Sequence, residues 1–153
     1  MRAIEPWVEE PLRTFLAESA ARVVLLMTTA GQVVAQHGFT RSMDVMAAAA
    51  LGAGIVASTE ELGRVMGGGT LGSLVHQGSR QGIVLVPFDT PRGRWIGLVV
   101  YGPETSVGLV QLFFGRMVTD LVVAAPPDEP RRAVLAEDFE RDLNASLRAL
   151  FGR

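Results

Sequence analysis

The segment Ser42–Gly67, SMDVMAAAALGAGIVASTEELGRVMG, is the one on which the fold turns. From Val45 to Thr59 it carries no charge, so about four helical turns are apolar or small all round. Ser42 is a good N-cap, Asp44 suits the first turn, and the glycines at 67–69 cannot sustain a helix. A helix ending near Met66 is expected. A helix lying on one sheet needs one apolar stripe and should be polar behind it. The pattern assigns Met43, Met46, Ala47, Ala50, Ile55 and Leu62 to the sheet, and Val45, Ala48, Ala49, Gly52 and Val56 to the outside. Small outward residues would let a second helix approach closely, which points to a homodimer or a protein-binding face there, with Met46, Ala49, Ala53 and Ala57 the expected dimer-interface residues. The rival arrangement is a monomer whose C-terminal helix folds over that stripe.

Working outward, Leu12, Phe15, Leu16 and Ala20 have helical spacing after Pro11. RVVLLMTT (Arg22–Thr29) and VVAQHG (Val33–Gly38) flank Gly31 and read as a β-hairpin. Beyond the long helix, Leu71–His76 and Ile83–Phe88 read as strands joined through Gly78 and Ser79. Pro87 either ends the second strand or sits where no amide is needed. Arg94–Tyr101 is a further strand, and GPETS opens a helix with Leu109, Phe113, Met117 and Leu121 at i+4 steps. The order α-β-β-α-β-β-β-α, with tight turns between strands, implies an antiparallel sheet and the α+β class. APPDEP (Ala125–Pro130) then separates a last helix, striped by Leu135, Phe139, Leu143, Leu147 and Phe151. The expected division is a domain over residues 1–125, then a Pro-rich linker and amphipathic helix over 126–153.

The chain of 153 residues suits one compact domain, and a net charge of −2 gives no attraction to nucleic acid or anionic lipid. There is no cysteine, hence no disulfide, thiolate metal site or cysteine nucleophile. All fourteen basic residues are arginine. Without lysine there is no Walker-type phosphate loop and no Schiff-base chemistry. MRAIEPWVEEP holds acids and prolines rather than a signal peptide, and Val45–Thr59 is too short and too rich in Gly and Ala to span a bilayer. A cytoplasmic protein with no integral membrane segment is expected.

Chemical motifs are weak. His37 and His76 are the two histidines, each at an expected strand end, and no serine elbow accompanies them. They lie far apart without a second ligand at short spacing, so no metal site is expected. Glu9, Glu10, Glu18, Glu60, Glu61, Glu137, Asp138 and Glu140 read as solvated helix faces rather than a carboxylate pair in a cleft. Gly67–Gly69 and Gly72 follow a helix and open a strand, the reverse of a phosphate cradle. Arg92, Arg94 and Trp95 suit a charged hairpin edge better than a nucleic-acid surface. His76, Gln77 and Arg80 suit a turn. No catalytic residue and no cofactor are expected.

The strand pair ARVVLLMTTAGQVVAQHG, the helix AAAALGAGIVASTEELGRVMG and the HQG turn before GIVLVPF resemble the Roadblock family, and within it the bacterial MglB type. The likeness runs from about Leu12 to Val123. It implies a five-stranded antiparallel sheet with helices on both faces, and a homodimer formed through the long helix and a strand edge. It also implies a partner, a small Ras-like GTPase, regulated without an inserted arginine finger, and a C-terminal helix able to bind it. On that basis Arg41, Glu60, Glu61 and Arg64 are the expected GTPase-binding residues. Two other functions stay open: a Roadblock-type assembly platform with no effect on hydrolysis, and an α+β domain sensing a small apolar ligand between sheet and helix.

Overall fold

The computed structural model describes residues 2–3, 5–41, 43–69, 72–127 and 129–151; side chains are described from Glu5 to Pro127 within those ranges and from Glu140 to Phe151. In chain order the elements are β1 (Arg2–Ala3), a 3₁₀ turn (Pro6–Val8), α1 (Glu9–Ser19), β2 (Val23–Thr28) and β3 (Val33–Gly38). They continue with α2 (Val45–Val65), β4 (Leu74–Gln77), β5 (Gly82–Thr90), β6 (Gly93–Tyr101), α3 (Val107–Ala124) and α4 (Glu129–Phe151). The strands form one antiparallel sheet in the order β1-β3-β2-β6-β5-β4. The five expected strands are all present. β1 adds two residues beside β3, pairing Arg2 with Gln36 and Ala3 with Ala35, too short a stretch to leave a period in the sequence.

Two apolar layers hold the molecule together. On one face α1 and α3 cover Val24, Leu26, Val84, Val99 and Tyr101, with Phe15, Phe114, Met117 and Leu121 pointing inward. Phe88 meets both Trp95 and Phe114 edge-on, and Trp7 stacks on Trp95 at 5.7 Å between ring centres. On the other face α2 alone covers Leu25, Met27, Leu85, Ile96 and Leu98. α2 and α3 have the length and hydropathy of membrane spans, yet each is pinned by a buried stripe to its own face of the sheet.

Local chemistry explains most boundaries. α1 ends where Ala20 turns left-handed, and the Ala20 amide donates to the Leu16 carbonyl. The β2–β3 turn needs Gly31 twice over, for its positive φ of 86° and because a side chain there would press on the α2 backbone at Ala50. α2 is capped by Asp44, whose carboxylate accepts from the Ala47 amide at 3.0 Å; Ser42, the expected cap, lies outside the described residues. Leu71, the expected first residue of the next strand, also lies outside them, and β4 is short. β5 is longer than expected, with Pro87 inside it opposite Ile96 of β6. β4 pairs β5 only from Gly82 to Leu85, so Pro87 sits where β5 has no neighbour on that side.

The two faces of α2 are reversed relative to the expectation. Ala49, Gly52, Ala53, Val56 and Gly63 are buried against the sheet, whereas Met46, Leu51, Ile55, Leu62, Val65 and Met66 are exposed. Close approach is the reason. A Cβ on Gly52 would lie 3.3 Å from both Leu85 and Leu98, so large side chains on this stripe would lift the helix off the sheet. Two of the four expected interface residues, Ala49 and Ala53, therefore belong to the chain's own core. α3 shows a smaller offset: Val110 and Phe114 point inward with Met117 and Leu121, leaving Leu109 exposed and Phe113 half-buried.

Candidate interaction surface

Once the large residues of α2 point outward, the helix presents a broad apolar face. Met46 is 78% exposed, Leu51 69% and Leu62 55%, and Ala47, Ala50, Gly54 and Ala57 lie open between them. Met46 and Ala57, from the expected interface, are on this face. The described residues of α4 do not cover it, since every side chain from Glu140 to Phe151 is exposed. The face continues to Val65 and Met66 at the helix end, both exposed.

Beside α2 the sheet has a free edge. Among the described residues β4 is hydrogen-bonded to β5 on one side only, which leaves its other backbone groups available to another strand. His76 and Gln77, expected at a turn, are the last two residues of β4. Gln77 has a structural role: its Oε1 accepts from the Tyr101 hydroxyl at 2.5 Å, giving an otherwise buried phenol its partner. His76 and Arg80 are exposed. His37 is half-buried on β3, where burial and the nearby Arg13 charge hold its pKa below 6.5. The two histidines lie on β3 and β4 at opposite sides of the sheet, and no catalytic constellation joins them.

The expected GTPase-binding residues fall into two groups. Glu60 accepts from Arg94 of β6 at 3.0 Å, and Arg94 also faces Asp89 at 3.7 Å. One turn on, Arg64 pairs with Glu61, which keeps that carboxyl below its usual range and the guanidinium above its own. These three side chains form a charged end to the apolar face. Arg41 is exposed in the turn preceding α2, at the other end of a helix whose rise from Val45 to Glu61 is about 24 Å, and does not join them.

An open groove of about 680 Å³ adjoins the start of α2, lined by Arg22, Val23, Phe39, Met43, Gln81 and Val100. It lies beyond the helix rather than between helix and sheet, where Gly52 shows close packing. Sequence reasoning missed Leu51, Val65, Met66 and the β4 edge, and placed Ile55 and Leu62 inward. The signal that finds them is the i, i+3, i+4, i+7 spacing of Ala49, Gly52, Ala53 and Val56, a stripe small enough to seat on a sheet.

No protein-family model matches the sequence, and no curated protein matches it. Solved structures do match the fold. MglB of Myxococcus xanthus superposes with a TM-score of 0.70 at 24% identity, over 78% of this chain and 94% of that one. The gliding protein MglB of Thermus thermophilus does so with a TM-score of 0.68 at 26% identity, over 78% and 88%. A Roadblock/LC7 domain of Streptomyces avermitilis gives 0.61 at 17% identity, over 71% and 89%.

Proposed function

We propose that this chain, Roadblock in fold and MglB-like, forms a homodimer that regulates a small Ras-like GTPase by binding it and contributes no reacting group. The observation that carries the reading is the apolar outer face of α2 lying alongside the unpaired edge of β4. A two-fold pairing of β4 with β4 of a second copy would satisfy both edges and continue the sheet across the dimer. In this reading the exposed face of α2, with Met46, Leu51, Ile55, Leu62 and Ala57, is the other part of the interface.

The charged end of α2 is then the surface offered to a GTPase: Glu60, Glu61 and Arg64, with Arg41 as a separate contact. The dimer would act by favouring one arrangement of the GTPase switch loops. A ligand shifts such an equilibrium only by its difference in affinity for the two states. The machinery for phosphoryl transfer would remain the GTPase's own. A cytoplasmic location suits this partner.

The test is to mix the purified protein with the small GTPases of its source, loaded with GDP or GTP, and to measure complex formation and turnover. Binding to one of them with a preference between nucleotide states is expected, weakened by Arg64→Glu. Binding without any change in turnover would select an assembly platform instead. Absence of binding in both states across the set would remove the GTPase reading.

A further inference from the structure

The two edges of the sheet differ. Among the described residues β4 is open along its outer side. At the opposite edge β3 is not the last strand, because β1 lies against it, with Arg2 opposite Gln36 and Ala3 opposite Ala35. Those two pairs fall in the middle of β3 (Val33–Gly38) and leave only two residues on either side. Strands need about three residues or more, so no second strand finds a free stretch of β3 long enough to pair.

The strand that β1 covers has no protection of its own. VVAQHG contains no Lys, Arg, Asp, Glu or Pro, the residues that keep sheet edges apart. His37, whose pKa burial holds below 6.5, is neutral at pH 7. The covering segment carries what β3 lacks: Arg2 stands in β1, and Glu5 and Pro6 follow directly. Pro6 opens the 3₁₀ turn, so the extended run stops there and does not offer a long edge in its turn.

Two residue pairs are a weak hold by themselves, and the anchor beside them supplies the rest. Trp7, only four residues after Ala3, stacks on Trp95. Val8 is fully buried in the same core layer as Leu12, and its amide donates to the Glu5 carbonyl at 3.1 Å. The Glu5 carboxylate reaches Arg92 at 3.4 Å. A short tether of this kind gives an effective concentration in the millimolar range, about a thousandfold above that of a second copy at micromolar concentration.

We infer that β1 is a guard strand, held on the β3 edge so that a second copy of this chain cannot pair there through its own β3. With one edge guarded, each chain has a single edge contact to offer, and association closes after two copies. Two open, self-pairing edges would add copies without end. The inference concerns the β3 edge alone and stands whether or not β4 pairs.

The test uses the full chain. Arg2→Pro with Ala3→Pro removes both β1 amides and with them the pairing to β3. By light scattering the mass of this variant should rise roughly twofold or more over that of the unmodified chain across about 1–100 μM. If the unmodified chain is single, the variant should stop at two copies; if it is a dimer, growth should pass four, so the fate of the β4 dimer is read separately. Adding Gln36→Lys puts a charge on the bared strand and should restore the unmodified mass. A released variant that stays at the unmodified mass overturns the guard. Growth that Gln36→Lys fails to suppress overturns it too, because it then runs through another surface or through unfolding.

Discussion

Leu51→Glu isolates the dimer from the fold. Leu51 is 69% exposed in the single chain and touches neither core layer, so folding of one subunit should change by less than about 0.5 kcal/mol. In the dimer the same side chain would be covered. Complete burial of a leucine is worth about 1.5–3 kcal/mol, so covering this exposed share contributes roughly 1.4 kcal/mol per copy. Two-fold symmetry counts it twice, near 2.8 kcal/mol, or about a hundredfold in the dissociation constant. The carboxylates add a desolvation cost in the same direction. Sedimentation equilibrium over nanomolar to micromolar concentrations would measure the constant, and urea unfolding at monomeric concentrations the subunit stability. An unchanged dissociation constant would show that the outer face of α2 is not the contact. A large loss of monomer stability would show that Leu51 is not the free side chain seen here.

Three further outcomes follow from the packing. Gly97→Ala would drive a Cβ into the Phe114 ring and should cost about 1–3 kcal/mol, read as a lower urea midpoint with an unchanged slope. Tyr101→Phe removes the hydroxyl that Gln77 accepts from; because Gln77 is exposed and can turn to water, a loss of only about 0.5–1.5 kcal/mol is expected by thermal melting. His37, held below 6.5 chiefly by burial, takes up a proton more readily unfolded than folded. Its contribution is therefore complete above that pH and lost as the pH falls, and His37→Gln should flatten the decline in stability on the acid side.

The strands were readable because β-branched runs between glycine-bearing turns leave little choice. RVVLLMTT and GIVLVPF became β2 and β5 with shifts of only a few residues at their ends. The orientation of α2 was not readable by the same rule. Hydrophobicity alone sends Met46, Ile55 and Leu62 inward and leaves alanine and glycine outside. Packing does the reverse, because the axis comes close to Leu85 and Leu98 only over residues as small as Gly52 and Ala53. An outward apolar face survived this inversion, since both sides of the helix lack charge over most of its length. The edge position of β4 was hidden for a different reason: strand order across a sheet is set by long-range pairing, and nothing local in LVHQ records which neighbour is absent.

The disposition of polar groups gives the regulator reading its physical basis. Around the candidate surface the charged and hydrogen-bonding side chains are held by neighbours in the same chain: Glu60 by Arg94, Glu61 by Arg64, Gln77 by Tyr101, and Glu104 by Arg22. A reacting group needs a perturbed proton affinity inside a sheltered cleft. Here the shifted carboxyls of Glu61 and Glu104 are in open solvent, lowered by an adjacent arginine. What this surface has in quantity is uncovered apolar area, on α2, on the far side of α3 and along α4. Free energy available in that form is released by burial against another molecule or another segment. A GTPase binding to such an assembly would meet a surface whose shape is set by association, and its affinity should rise with the fraction of chains in the dimer.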